Sequence, residues 1–522
     1  MPAYLHPGIY VEEVASAARA IEAGGTSTAI FVGETERGPL APTKIKGRAE
    51  YERLFGGYRR HAETDAAIAS LTYAIDAFFQ NGGTTAYILR AAEASSSTSK
   101  REYGSTTKVT IEASSPGDWG DQLSVVFCSS SSSPFRFRLV VLYKVPGSTE
   151  ARVVESWDRL STAPADESYV ADVLQRSLYI RWKSGTPNAM PDVTLEAPLK
   201  DDDLLTVAIF NANQLSTGSG GLGPLSESAY PTLLSRLDEI TDASLLVIPA
   251  RITETDTNNR LIASRALEYA AARPQQDLFC IADLPRKKGL DLATTATTQT
   301  IAEFSLLQPT DFGAVYFPWI EVGDPAGAGR DPVQVVPPSG FVAGLYARTD
   351  ARRGVWKAPA GVEATLLGIR RLEYKLLDTH QDEFNPRGIN ALRVHPTGGA
   401  VVWGARTMRP DSEWRYIPVR RMAIFLRRSI YNGIQWAVFE PNDHNLWLTL
   451  RLTITSFMEQ LFRQGAFAGK TAREAFFVKC DEDTTPVADQ IAGIVNVSVG
   501  FAPLRPAEFV VVRLSQIVNQ KA

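Results

Sequence analysis

Apolar and polar positions change rhythm several times along this chain, and each change marks a new part. Ala29-Ile30-Phe31-Val32-Gly33 is a short, wholly apolar run of the kind found in buried strands. Across 66–79 the apolar residues Ile68, Leu71, Ile75, Phe78 and Phe79 recur at helical spacing, and Asn81-Gly82-Gly83 stops the helix. Ala86-Tyr87-Ile88-Leu89 reads as the next strand. After a polar linker at 94–100 the pattern turns to β. Residues 108–112 alternate, 123–127 and 135–143 are strand-like, and one helix is expected at 169–175. From 204 onward an alternation of strands and helices resumes. Strands are expected at 205–210, 244–249, 278–282 and 313–317, with helices at 229–239 and 260–272. That order predicts a mostly parallel sheet with helices on its faces. A Gly/Pro-rich loop is expected over 322–338.

The last quarter, 398–518, has a pattern of its own. Two amphipathic helices, 420–431 and 446–464, precede three β-prone runs, and the chain stops almost where the last run stops. On a wheel at about 100° per residue, Arg420, Arg421, Arg427 and Arg428 fall in one stripe opposite Met422, Phe425, Leu426 and Ile430. Such a stripe is either an internally ion-paired face or a docking surface for an acidic partner. Trp447, Leu450, Ile454, Phe457 and Leu461 share one face of the second helix, a core-packing stripe. Near the C-terminus Phe509, Val510, Val511, Val512 and Leu514 form a strongly β-prone arm. Ile9, Tyr10 and Val11 form a shorter one near the start. An apolar strand at a terminus needs a partner, because its unpaired backbone groups are a template for pairing. The N-terminal arm could instead complete the protein's own sheet. Either way the ends point to assembly before chemistry.

At 522 residues the chain exceeds one ordinary core, so two to four domains are expected. A net charge of −4 gives no support to nucleic-acid binding. The first residues, MPAYLHPGIYVEEV, lack the basic and apolar regions of a signal peptide. No run approaches the ~18 apolar residues of a membrane span, so no insertion in a membrane is expected. Cys128, Cys280 and Cys480 are scattered and odd in number, fitting reduced structural thiols in a protein made in the cytoplasm.

Several near-motifs fail on context. Gly218-Ser219-Gly220-Gly221-Leu222-Gly223 matches G-x-G-x-x-G, yet polar residues separate it from any strand and Pro224 follows at once. Gly465-Ala466-Phe467-Ala468-Gly469-Lys470-Thr471 is one residue short of a P-loop and follows a helix, so it reads as a helix stop. The five histidines have no metal-ligand spacing, and no G-x-S-x-G elbow occurs. Asp481-Glu482-Asp483 and Asp201-Asp202-Asp203 read as solvated loops. No catalytic residue, cofactor or metal is expected.

From Tyr316 onward the chain resembles the contractile tail sheath proteins of phage tails and phage-tail-like injection systems. The resemblance is carried by YFPWIEV, VPPSGFVAGLYARTDARRGVWKAPAG, FNPRGINALR, VVWGARTM, YIPVRRM, QWAVFEPN, LFRQGAFAG, AFFVKCD and RPAEFVVVRL. Upstream, PGIYVEE, DWGDQLSV, ESWDRLST, STGSGGLG and IADLP match more loosely but in register. The resemblance implies an N-terminal arm (1–25), an α/β segment packing with the core (26–93) and an inserted β-sandwich (94–200). It further implies a subtilisin-like α/β domain without protease chemistry (201–384), a tube-proximal C-terminal α/β domain (385–506) and a C-terminal strand arm (507–522). It implies a structural subunit, not an enzyme, assembled in the bacterial cytoplasm for a phage tail or an injection particle. Copies would form six-fold helical rings around an inner tube, bind baseplate and terminator or cap proteins, and contract to drive the tube through an envelope. The arms would pair with neighbouring subunits, and the arginine stripe is a candidate for contact with the tube. The competing classes are a nucleotide-dependent or hydrolytic α/β enzyme and a baseplate or cap component of the same fold.

Overall fold

The computed structural model describes residues 20–58, 70–92, 95–130, 136–145, 150–183, 190–197, 204–219, 225–252, 256–286, 294–327, 329–396, 399–410 and 413–509. They fall into two compact units. The larger holds residues 25–353 and 358–417, and the smaller holds 20–24, 354–357 and 418–509.

The larger unit is built on an eight-stranded sheet in the order 400–402, 389–394, 313–317, 279–283, 245–247, 29–33, 86–90, 43–45. The six inner strands run parallel, and the two marginal strands are antiparallel. The apolar runs AIFVG, FCIAD and GAVYF are buried at every position, as strands covered on both faces must be. Two helices, Ser70–Gln80 and Ser339–Arg353, meet backbone to backbone. A Cβ on Gly340 would sit 2.4 Å from the carbonyl oxygen of Ala74, and one on Gly344 2.4 Å from that of Phe78. Glycine at both positions is what lets the helices approach so closely.

Between strands Ala86–Arg90 and Leu245–Val247 the chain leaves the sheet for the β-rich block. Strands Lys100–Tyr103, Val109–Ala113 and Ile180–Lys183 form one antiparallel sheet. Leu123–Ser129, Phe137–Lys144 and Ala151–Leu160 form another. One hydrophobic cluster draws on both, with Val109 and Ile111 from the first, Val125, Phe127, Leu139 and Val141 from the second, and Trp119 among them.

Two expectations are corrected here. Residues 205–210 are not a strand: Val207–Asn213 is a helix whose N-cap Thr206 accepts a hydrogen bond from the Ile209 amide at 3.3 Å. A short apolar run carries no period of its own. Here the cap and the docking of Phe210 against Val126, Cys128, Val140 and Leu142 decide it. Nor is 322–338 all loop. Ile320–Gly323 and Val333–Val336 pair antiparallel, with Arg371–Leu372 on the other side of the first strand. The β-branched residues at the ends of the segment outweigh its Gly/Pro-rich middle.

In the smaller unit, helices Ile417–Gly433 and His444–Arg463 pack through Met422, Phe425 and Leu426 against Ile454, Phe457, Met458 and Leu461. Ile21 joins this cluster, and the Gly24 amide donates to Ser429 Oγ at 2.9 Å. All three cysteines of the chain are free and buried.

Candidate assembly surfaces

In an open α/β sheet a ligand ordinarily binds beyond the carboxyl ends of the strands. Here that crevice is filled by the protein's own side chains. Arg251, after strand Leu245–Val247, donates through Nε to Glu34 Oε1 at 2.6 Å, and both residues are buried. Its guanidinium also reaches the Leu225 carbonyl at 3.1 Å, while Asn259 bonds the Arg251 backbone at both amide and carbonyl. Asp283 ends strand Phe279–Asp283 and accepts from Ser339 Oγ at 2.6 Å, the Ser339 amide at 2.9 Å and the Ala250 amide at 3.1 Å. Burial pushes the Asp283 carboxyl up to about 7, against the opposing pull of those donors. Ser339 is fully buried, so this Asp–Ser pair ties a strand end to a helix start and offers no reachable nucleophile. Among the described residues no cluster of His, Cys, Asp and Glu could hold a metal ion. The described residues of the near-motifs make structural contacts. The Gly218 amide donates to Asp121 Oδ1 at 3.0 Å, and Gly465 follows helix His444–Arg463 at φ +78°.

A second polar knot joins the main sheet to the β-rich block. Arg90, fully buried, donates to the carbonyls of Gly38 at 3.1 Å and Pro116 at 2.8 Å. The Gly38 amide donates to Ser115 Oγ, and Tyr143 donates to Glu36. The Arg37 guanidinium lies 4.8 Å from the Tyr179 ring centroid and 5.9 Å from that of Tyr143. This joint is polar and cationic, tying the two parts together through main-chain carbonyls and aromatic faces.

The smaller unit ends differently. Phe476–Lys479 and Ser498–Phe501 pair antiparallel, Phe476 opposite Phe501 and Lys479 opposite Ser498. Phe476, Val478, Val499 and Phe501 face the core, while Phe477 lies outward over Gly500 and is 59% exposed. Among the described residues this sheet has two strands only, so each has an unpaired outer edge. The loop between the two helices carries another exposed apolar feature, Val438 and Phe439, the latter at φ +69°. A bulky residue held there costs about 1–3 kcal/mol. The sequence gives no sign of either feature as a surface. β-prone runs and an aromatic residue look the same whether they face inward or outward.

The sequence-derived candidates divide. Ile9, Tyr10, Val11, Val510, Val511, Val512 and Leu514 lie outside the described residues, and Phe509 is exposed and in no strand. Of the arginine stripe, Arg427 is exposed and Arg420 partly so, whereas Arg421 and Arg428 are buried. A continuous exposed stripe of four cations is therefore not what the helix presents.

A body with its ligand crevice filled, carrying a two-stranded sheet with open edges, is the outline of a protein made to associate. Known proteins agree. The chain matches the phage tail sheath protein central domain over residues 229–408 and the phage tail sheath C-terminal domain over 409–517. The chain belongs to the contractile tail sheath family. It is 28% identical over 199 residues to a prophage major tail sheath protein of Pseudomonas aeruginosa. It is 29% identical over 153 residues to the tail sheath protein of Vibrio phage KVP40. These matches take in 37% and 29% of this chain, and the chain spans only 48% and 22% of those relatives' lengths. The sheath of the PVC extracellular contractile injection system, in its contracted state, has the same fold along the whole of both chains, with a TM-score of 0.58 at 22% identity.

Proposed function

We propose that this chain is the structural subunit of a contractile sheath of a phage tail or phage-tail-like injection particle. Copies polymerise as six-fold rings stacked in a helix around an inner tube, joined to a baseplate at one end and a terminator at the other. In this reading the two sheets sharing the Trp119 cluster are the β-sandwich, and the eight-stranded body is the subtilisin-like domain kept for packing. The observation that carries the reading is the two-stranded sheet Phe476–Lys479 and Ser498–Phe501, whose edges accept strands by backbone hydrogen bonding alone. The arms at Ile9-Tyr10-Val11 and Phe509–Leu514 supply those strands to neighbouring copies. Strand pairing survives rotation of the bodies it links, so the same links serve extended and contracted states. Contraction then draws on packing energy stored at assembly, with two arrangements of the same interfaces separated by a barrier. Arg427, the exposed member of the arginine stripe, is the residue left to meet an acidic face of the tube.

The test is removal of residues 513–522 from the full chain. Soluble monomers are expected in electron micrographs and sedimentation, where the intact chain gives hollow striated tubes. Full-length tubes from the truncated chain would refute strand exchange through this arm.

A further inference from the structure

The loop joining the two long helices of the smaller unit carries an aromatic ring with nothing packed around it among the described residues. Phe439 is 102% exposed and sits at φ +69°, a conformation bulky residues rarely take. Val438 and Glu440, on either side, are exposed too. The base beneath them is fixed. Trp436 and Ala437 pack against the buried cluster of Leu446, Trp447, Leu450 and Cys480, and Trp447 Nε1 donates to Asn442 Oδ1 at 2.8 Å. The amides of Val438 and Glu440 donate back to the carbonyls of Gln435 and Ala437. A preorganised apolar tip held out in water is how an interface anchor looks before its partner arrives.

The larger unit carries a hollow that is part apolar and part polar, with Ser305 and Gln308 standing among its apolar lining. It is an open cavity of about 800 Å³ floored by Phe304, Leu306, Leu307, Pro309, Met408 and Pro410. Leu306 is 61% exposed, and the exposed side chains of Arg387 and Arg409 stand at its rim.

We propose that the tip Val438-Phe439-Glu440 of one copy seats in this hollow on a second copy. Phe439 meets the apolar floor, and Glu440 faces the two guanidinium groups. Phe439 and Leu306 are both exposed apolar side chains, Glu440 is opposite in charge to Arg387 and Arg409, and both halves of the contact are present on this one chain, which is why a second copy is the occupant. Knob and hollow are different surfaces, so the contact is head-to-tail, and such contacts propagate into rings or helical filaments. The inference rests on the sheath reading and deepens it by naming two surfaces through which copies meet, separate from any strand exchange.

Cysteine cross-linking decides it, since the native thiols are buried. The full-length chain carrying both Phe439→Cys and Leu306→Cys is treated with a short bis-maleimide at assembling concentration, and the same sample is viewed by electron microscopy. A ladder of covalent dimers, trimers and higher multimers is expected, while either single variant gives no ladder. Mixing the two single variants should give dimers and stop there. Glu440→Arg should raise the concentration needed to cross-link the double-cysteine chain by roughly tenfold, the scale of a lost anchor contact. Arg387→Glu with Arg409→Glu should restore it. Absence of a ladder overturns the proposal, as does a cross-link from position 439 to a protein of another mass, such as an inner tube. Absence of tubes in the micrographs counts against the sheath reading instead, so the two failures are told apart.

Discussion

The eight-stranded and the two-stranded sheets of this molecule differ most at their margins. The eight-stranded sheet finishes on three-residue antiparallel strands, Thr43–Ile45 at one side and Ala400–Val402 at the other. The second of these is sealed again from outside. The Leu366 amide donates to the Ala400 carbonyl, the Val402 amide to Ala364, and the Gly361 amide to Val402. At the two-stranded sheet of the smaller unit a similar closure reaches only the end, where the Ala468 amide donates to the Ala502 carbonyl; among the described residues no strand lies along the outer side of Phe476–Lys479 or Ser498–Phe501, and its outer face shows Phe477. Short, covered margins are how a finished sheet avoids further pairing, and bare margins invite it. Under the strand-exchange proposal the contrast assigns labour: the larger unit's sheet is a filled block, and the smaller unit's sheet offers the edges.

If the larger unit's sheet is a filled block, removing one half of its buried ion pair should hurt it badly. Arg251→Ala leaves the buried Glu34 carboxylate without the guanidinium that pairs with it, and vacates the contacts that the guanidinium made with the Leu225 carbonyl and the Tyr230 hydroxyl. Breaking a buried pair this way costs about 3–5 kcal/mol. Urea unfolding of the isolated subunit should show that loss. A change below about 1 kcal/mol would mean that the crevice is wetter and softer than the structure makes it.

A smaller effect is expected from Asp283. Its folded carboxyl titrates at about 7, raised by burial above the ordinary ~3.9 of an exposed aspartate. The folded state therefore holds a proton that the unfolded chain has released. The stability this confers is fully present below about pH 4 and is lost as the pH rises through about 7. Between pH 5.5 and 7 the subunit should lose on the order of 2 kcal/mol at this site, superimposed on its other titrations. Asp283→Asn should flatten that slope, as read by denaturant unfolding at the two pH values. An unchanged slope would show that the three donors around the carboxylate offset its burial.

Much of this contrast was legible in the sequence, for identifiable reasons. Ala29–Gly33 and Gly313–Phe317 are continuous apolar runs between turn signals, so burial on both faces left little choice. The helix face Trp447, Leu450, Ile454, Phe457, Leu461 was readable because periodicity reports directly on packing. Val207–Asn213 was not, because four apolar residues in a row fit either period and a cap at Thr206 settles the matter only locally. The arginine stripe shows the deeper limit. A wheel says which residues share a side of a helix, but not whether that side meets water, and Arg421 and Arg428 are buried. Phe439 is the converse, an aromatic residue whose exposure no periodicity announces.

The smallest expected change in folding is also the sharpest probe of the open sheet. Phe477 projects from its outer face, over Gly500 and away from the core side chains Phe476, Val478, Val499 and Phe501. Phe477→Asp removes one cross-strand contact, worth within about 1 kcal/mol, and leaves the core face whole. Unfolding of the isolated subunit should hardly move. A strand or a neighbouring body added at this sheet would, however, have to bury the new carboxylate, which is costly without a partner. Tube formation should fail while the monomer stays folded, as seen by electron microscopy beside a denaturation curve. Normal tubes from this variant would place the outer face of the sheet in solvent within the particle, and would confine subunit exchange to its two backbone edges.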